Sequence, residues 1–101
     1  MKSHAIEITT FKLKGCTMKQ FIEANKDVDY FLKRQKGFRS RHMFLLKRDV
    51  VYDMLFWDTT HDGTAAMHRL MKELGNLPVH GMIDQNTVSW NIAPVEHFVN
   101  L

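Results

Sequence analysis

Three side chains in this sequence invite proton chemistry if the fold brings them together: His42, Asp53 and Trp57. A carboxylate beside an imidazole favours the charged ring and prepares it as a general base. Whether they meet depends on how two strands are paired. With Arg48-Asp49 as a two-residue turn, Phe44 faces Asp53, His42 faces Leu55 and Ser40 faces Trp57, which puts the three on one side of a hairpin. The other side then pairs Leu45 with Tyr52, Met43 with Met54 and Arg41 with Phe56. A slip of one residue exchanges the sides on one strand. A side turned towards a second subunit makes the trio a structural hydrogen-bond group rather than a catalytic one.

The same pairing predicts a cavity on the helix side. Met43, Tyr52, Met54 and Phe56 would line it from the sheet, Phe21 and Asn25 from a first helix, and Met67 and Met71 from a second. Trp90 joins if its face points the same way. Adaptable methionines and flat rings suit a planar organic ligand. At helical spacing such residues more often form plain core. Asn25 departs from that pattern, because a buried amide must find partners and can serve either structure or a ligand.

Other chemistries lack their residues. There is no Cys-X-X-Cys, His-Glu-X-X-His, acidic metal loop or glycine-rich phosphate loop. The six histidines, His4, His42, His61, His68, His80 and His97, lack zinc-site spacing. No metal and no cofactor are expected. Cys16 precedes a helix start, which favours a thiolate, yet no partner base is identifiable. A single cysteine forms no intramolecular disulfide and permits a reducing compartment, so a cytoplasmic location is the expectation.

The elements that must carry these residues centre on Val50–Asp58, V-V-Y-D-M-L-F-W-D. It is apolar on both faces, so it belongs at the middle of a sheet covered twice. Ala5–Lys14 reads as a first strand with Ile6 and Ile8 on one face and Phe11 and Leu13 on the other, a change of phase near Thr9-Thr10 marking a bulge. Thr17 with Gln20 forms a capping box for one helix that runs through Asn25 to a left-handed Gly37. Phe38–Lys47 is the second strand. Thr60 or Asp62 caps the next helix, with Ala66, Met67, Leu70, Met71 and Leu74 as its apolar stripe. Leu77–Met82 reads as loop, and Ile83–Ile92 contains the last strand with Val88, Trp90 and Ile92 on one face.

The order is β-α-β-β-α-β: an α+β, ferredoxin-like fold, a four-stranded antiparallel sheet with two helices on one face. The 101 residues make one domain, 1–101. Two helices shield one face only, so a second copy is expected on the other, as an isologous homodimer. The formal net charge of +3 is small and its Lys and Arg are dispersed, against a nucleic-acid partner. No apolar run approaches the roughly 20 residues of a membrane helix, and Met1-Lys2-Ser3-His4-Ala5 begins no signal peptide.

Segments spread along the chain resemble a known group. They are T-F-K-L-K, E-A-N-K-D-V-D-Y-F-L-K-R-Q, G-F-R-S-R, Y-D-M-L-F-W-D-T-T, A-A-M-H-R-L-M and M-I-D-Q-N-T-V. In this order they resemble the antibiotic biosynthesis monooxygenase-like family of the dimeric α+β barrel superfamily. The resemblance implies a ligand site between helices and sheet in each subunit. It implies either a cofactor-independent monooxygenase acting on a phenolic or quinol-like substrate, with Tyr52, Asn25 and Trp90 as orienting groups, or a non-catalytic binder of a small aromatic ligand. Haem-degrading relatives use a helix-borne His, an early Asn and a Trp. Here the first strand has no Asn and Trp57 lies on a strand, so His68 reads as a surface residue and no haem is expected.

Overall fold

The computed structural model describes residues 4–101, so Met1–Ser3 lie outside the described residues. Strands β1 (Ala5–Leu13), β2 (Phe38–Leu46), β3 (Val50–Trp57) and β4 (Ile83–Pro94) form one antiparallel sheet in the order β2-β3-β1-β4. Helices α1 (Met18–Ala24), α2 (Lys26–Lys33) and α3 (Thr60–Leu74) and a 3-10 turn at Pro78–Met82 connect them. This is the expected ferredoxin-like α+β arrangement, with β3 and β1 at its centre. Along β3 the alternation is strict. Val51, Asp53, Leu55 and Trp57 are buried, and Val50, Tyr52, Met54 and Phe56 are half-buried on the other side. The buried set packs with Ala5 and Phe11 of β1 against Phe21, Val28, Phe31, Leu32, Ala66 and Val79.

Thr17 and Gln20 close the capping box of α1. The expected single helix is broken at Asn25. Its backbone N–H turns to the Ile22 carbonyl (3.1 Å), and its side-chain Nδ2 takes the Phe21 carbonyl (2.8 Å) that an uninterrupted helix would have given the backbone. Asn25 is 2 % exposed, so the substituted bond is well sheltered. Gly37 has a left-handed φ of 81°, as expected. The cap of α3 is Thr59, not Thr60 or Asp62: its hydroxyl accepts from the Asp62 N–H at 3.0 Å. The stretch expected as loop before β4 is the 3-10 turn.

Two strand details differ from expectation. The β2–β3 loop has three residues, Lys47-Arg48-Asp49, because Leu46 pairs with Val50. Lys47 and Arg48 both adopt left-handed backbone (φ 53° and 70°) without the Gly or Asn that usually signals it. From Ser40 to Leu46 the β2 residues are therefore one step from their expected partners: Phe44 faces Tyr52, Met43 faces Asp53, His42 faces Met54 and Arg41 faces Leu55. In β1 there is no phase change, since the odd residues from Ala5 to Leu13 keep to the helix side. The irregularity lies in β4, where the pairing jumps from Thr10–Ser89 to Lys12–Asp84. Thr87 repairs the gap, its hydroxyl accepting from the Lys12 N–H (2.8 Å) and donating to the Asp84 carbonyl (2.7 Å).

Helix α3 approaches the sheet closely at Gly63. A Cβ there would stand 2.5 Å from Ile92 Cδ1 and 2.9 Å from the Trp57 ring. Gly63→Ala is expected to cost about 1–3 kcal/mol through overpacking, measured as a fall in urea midpoint with an unchanged slope, together with a shift of the Trp57 indole N–H resonance.

Candidate functional site

The helix side of the sheet carries an unusual row of polar groups, and the strand pairing sets each in place. Glu7 of β1 lies opposite Leu55 and Ile92, so Trp57 and Trp90 stand two residues along on either side, one on β3 and one on β4. At that diagonal spacing long side chains can still reach across. Trp57 Nε1 donates to Glu7 Oε1 at 2.8 Å and Trp90 Nε1 to Glu7 Oε2 at 2.7 Å. The carboxylate is 7 % exposed and has no ion-pair partner among the described residues.

Burial pushes the Glu7 carboxyl above its ordinary 4.5. The two indole bonds and the Arg41 charge oppose that rise, and the Asp53 charge adds to it. The magnitudes are close. Desolvating a carboxylate costs several kcal/mol, and each hydrogen bond to a charged group returns about 1.5–3 kcal/mol. The net upward direction means that burial wins.

A second network lies beside it. Arg41 holds Asp53 in a two-point grip, Nε to Oδ1 at 3.0 Å and Nη2 to Oδ2 at 2.8 Å. Nη1 reaches Asp29 of α2 at 2.7 Å and Nη2 also reaches Asn25 Oδ1 at 2.9 Å. The side chain is 11 % exposed. Here a buried acid has a full counter-charge, whereas among the described residues Glu7 has only neutral donors. Two carboxylates on one sheet face thus sit in opposed environments.

Between this row and the helices is a cavity of about 150 Å³. Glu7, Thr9, Asp53, Trp57 and Trp90 line it below, Phe21, Asn25, Val28 and Leu32 above, and Met67 and Leu70 from α3. An outer cleft of about 290 Å³ opens between α2 and β2 at Asp29, Lys33, Phe38, Arg41 and Met43.

Of the residues expected to line the cavity, Phe21, Asn25, Met67 and Trp90 do so. Met43 is on the helix side but in the outer cleft. Tyr52, Met54 and Phe56 are on the helix-free face, opposite to expectation, because the three-residue loop reverses β2 against β3 and the buried phase of β3 is the one carrying Trp57. Tyr52 therefore cannot orient a ligand in this cavity. Met71 is 54 % exposed on α3 and takes no part. The trio is divided: Asp53 and Trp57 line the cavity, and His42 lies on the helix-free face, edge-on to Phe56 at 5.9 Å. There is no His42–Asp53 pair, and Asp53 is held by Arg41 instead. His68 is exposed on α3. Among the described residues no group of three or more His, Cys, Asp or Glu is placed to hold a metal ion.

The residue that reasoning from sequence missed is Glu7. Its signal was its phase, shared with Ala5, Phe11 and Leu13, all inward. Arg41 and Met43 lie on the helix side, as their shared phase predicts, and it is β3 whose two faces are exchanged.

No family model and no curated protein matches the chain. Solved structures do. SnoaB, a cofactor-independent oxygenase from Streptomyces nogalater, aligns with a TM-score of 0.64 at 15 % identity over 98 % of this chain and 97 % of that one. A candidate antibiotic biosynthesis monooxygenase from Chloroflexus aurantiacus aligns at 0.69, with 10 % identity over 97 % and 98 %. A NIPSNAP family protein from Agrobacterium tumefaciens aligns at 0.70, with 10 % identity over 98 % and 91 %. The chain has the subunit fold of the antibiotic biosynthesis monooxygenase-like, dimeric α+β barrel proteins.

Because the Glu7 carboxyl is raised in the folded state, the native protein binds more protons than the unfolded chain above pH 4.5, and this group's contribution to stability falls as pH rises through that window. Glu7→Gln removes the dependence. The stability difference, variant minus wild type, is expected to grow in the variant's favour between pH 4.5 and pH 8, read from urea midpoints at matched ionic strength.

Proposed function

We propose that the helix-side cavity binds a small phenol or quinol and that the chain is a cofactor-independent monooxygenase in which Glu7 takes the hydroxyl proton. The observation that carries this reading is the isolated carboxylate on the wall of an otherwise largely apolar cavity. A base that burial raises above its ordinary value is better matched to a phenol, whose own pKa is about 10. The two indole N–H groups keep the carboxyl in position in either protonation state. A largely apolar wall favours direct reaction of the phenolate with oxygen over exchange with water.

The chemistry balances without a cofactor. Glu7 accepts the phenolic proton, and the ring anion gives electrons to oxygen as a C–O bond forms. Loss of the ring C–H proton with cleavage of the O–O bond leaves a quinone and hydroxide, which is protonated to water. One oxygen atom enters the product, and the two hydrogens lost leave in the water. Asp53, neutralised by Arg41, takes no proton in this scheme. In this proposal Trp90 and Asn25 flank the ligand, and Glu7 takes the place of Tyr52 as the polar group that orients it. A neighbour of the same fold described as a cofactor-independent oxygenase supports the reaction class. The free Cys16 suits the cytoplasmic location we include in the proposal.

Size selects the substrate. A cavity of about 150 Å³ takes a benzene-sized ring, and typical larger ligands need about 300–1,000 Å³. Single-ring phenols are therefore the substrates to test. With hydroquinone and its alkyl derivatives, oxygen uptake is expected in the wild type and a loss of about 100-fold or more in Glu7→Gln, the range typical of a general base. Ligand-induced quenching of Trp57 and Trp90 without oxygen uptake would support the non-catalytic binder instead, and neither response would contradict both.

The helix-free face belongs to the same proposal. Ile6, Ile8, Tyr52, Met54 and Phe56 are only half-buried there, and exposed Phe44 stacks on Tyr52 at 5.4 Å. We assign a second copy of the chain to this face, since a twofold axis lets one apolar patch cover itself. Sedimentation is expected to give a dimer at micromolar concentration and a folded monomer for Phe56→Asp. A wild-type monomer would contradict the assignment.

A further inference from the structure

The inner cavity and the outer cleft lie side by side, and among the described residues Arg41 alone lines both. Its guanidinium bonds run in the two directions. On one side it is tied to Asp53 and Asn25, which line the inner cavity, and on the other to Asp29, which lines the outer cleft. A planar fork anchored at three points is a stiff wall, because displacing it breaks several charge-assisted bonds together.

We propose that Arg41 is the specificity-determining residue of the site, a partition that confines ligands to one aromatic ring. Neither space alone reaches the range of about 300–1,000 Å³ that holds a larger organic ligand, whereas the two together do. Without the guanidinium the inner cavity continues past Asn25 and Asp53 into the cleft bounded by Phe38 and Met43, and a fused two-ring molecule fits. The restriction to single-ring phenols rests on the function proposed above. The partition itself rests on the geometry of the two spaces, and the experiment separates them by using rings that carry no acidic proton.

Benzene and naphthalene are titrated into the full-length protein, with binding read from the indole N–H resonances of Trp57 and Trp90, both on the inner wall. The wild type is expected to bind benzene at least about tenfold more tightly than naphthalene, the scale on which packed sites reject excess bulk. Arg41→Gln combined with Asp53→Asn removes both charges, so no buried charge is left alone. This pair is expected to bring naphthalene to within about threefold of benzene with benzene affinity kept, a change on the order of that same rejection. If the pair fails to fold, Arg41→Lys serves in its place. It retains the counter-charge on Asp53 but cannot span Asn25 and Asp29 at once, and a narrower preference for benzene is expected. Equal wild-type binding of the two rings, binding of neither, or a preference that survives whichever substitution folds would each overturn the partition. A preference that behaves as expected in a protein that turns over no phenol would leave the partition standing and sink the monooxygenase.

Discussion

The structure depends on one costly placement: a carboxylate inside a sheet–helix core with no ion-pair partner among the described residues. Glu7 is there because β1 alternates without interruption, so the phase that buries Ala5 and Phe11 buries residue 7 as well. Its cost is offset by two indoles that the antiparallel pairing sets on opposite diagonals. Trp57 is fixed in turn by the close approach of α3 at Gly63 and by edge-on contact with Phe38 at 5.5 Å. Much of the core near the sheet centre can be understood as support for that one group.

The neighbouring Arg41 cluster shows the contrasting solution. Asp53 is equally inward, yet it is neutralised and its oxygens are engaged. The cluster also explains the break between α1 and α2. Asn25 serves three purposes at once: it ends α1 by taking the Phe21 carbonyl, its own carbonyl begins the α2 ladder by accepting from the Asp29 N–H, and its side-chain oxygen accepts from Arg41. A polar residue in an apolar helical stripe was a correct sign of something other than plain packing, although the break itself left no Gly or Pro to mark it.

The fold was legible because it rests on patterns that repeat over many residues: two-sided apolarity in Val50–Trp57, the Thr17–Gln20 capping box and the apolar stripe of α3. The site was legible only in part, and the losses trace to single residues. One unsignalled left-handed pair, Lys47-Arg48, lengthened a loop by one, so that Asp53 and Trp57, rather than Tyr52, Met54 and Phe56, share the helix side with Arg41 and Met43, and His42 keeps to the other face without them. In β3 both alternate sets are apolar enough to be core, so composition alone did not choose between Trp57 and Tyr52. That choice is made by bulk and by partners: Trp57 meets the bare backbone of Gly63 and the carboxylate of Glu7, and neither contact is visible in any local window of sequence.

The most direct measurement is a titration of the Glu7 side-chain carboxyl itself by carbon-13 NMR, followed together with the Trp57 and Trp90 indole N–H resonances. A midpoint above the ordinary 4.5 is expected, with both indole signals moving at that same pH because both donate to the titrating oxygens. A midpoint at or below the ordinary value, or indole signals that ignore the transition, would mean that Glu7 is an ordinary ionised residue and would rule it out as the base of this cavity.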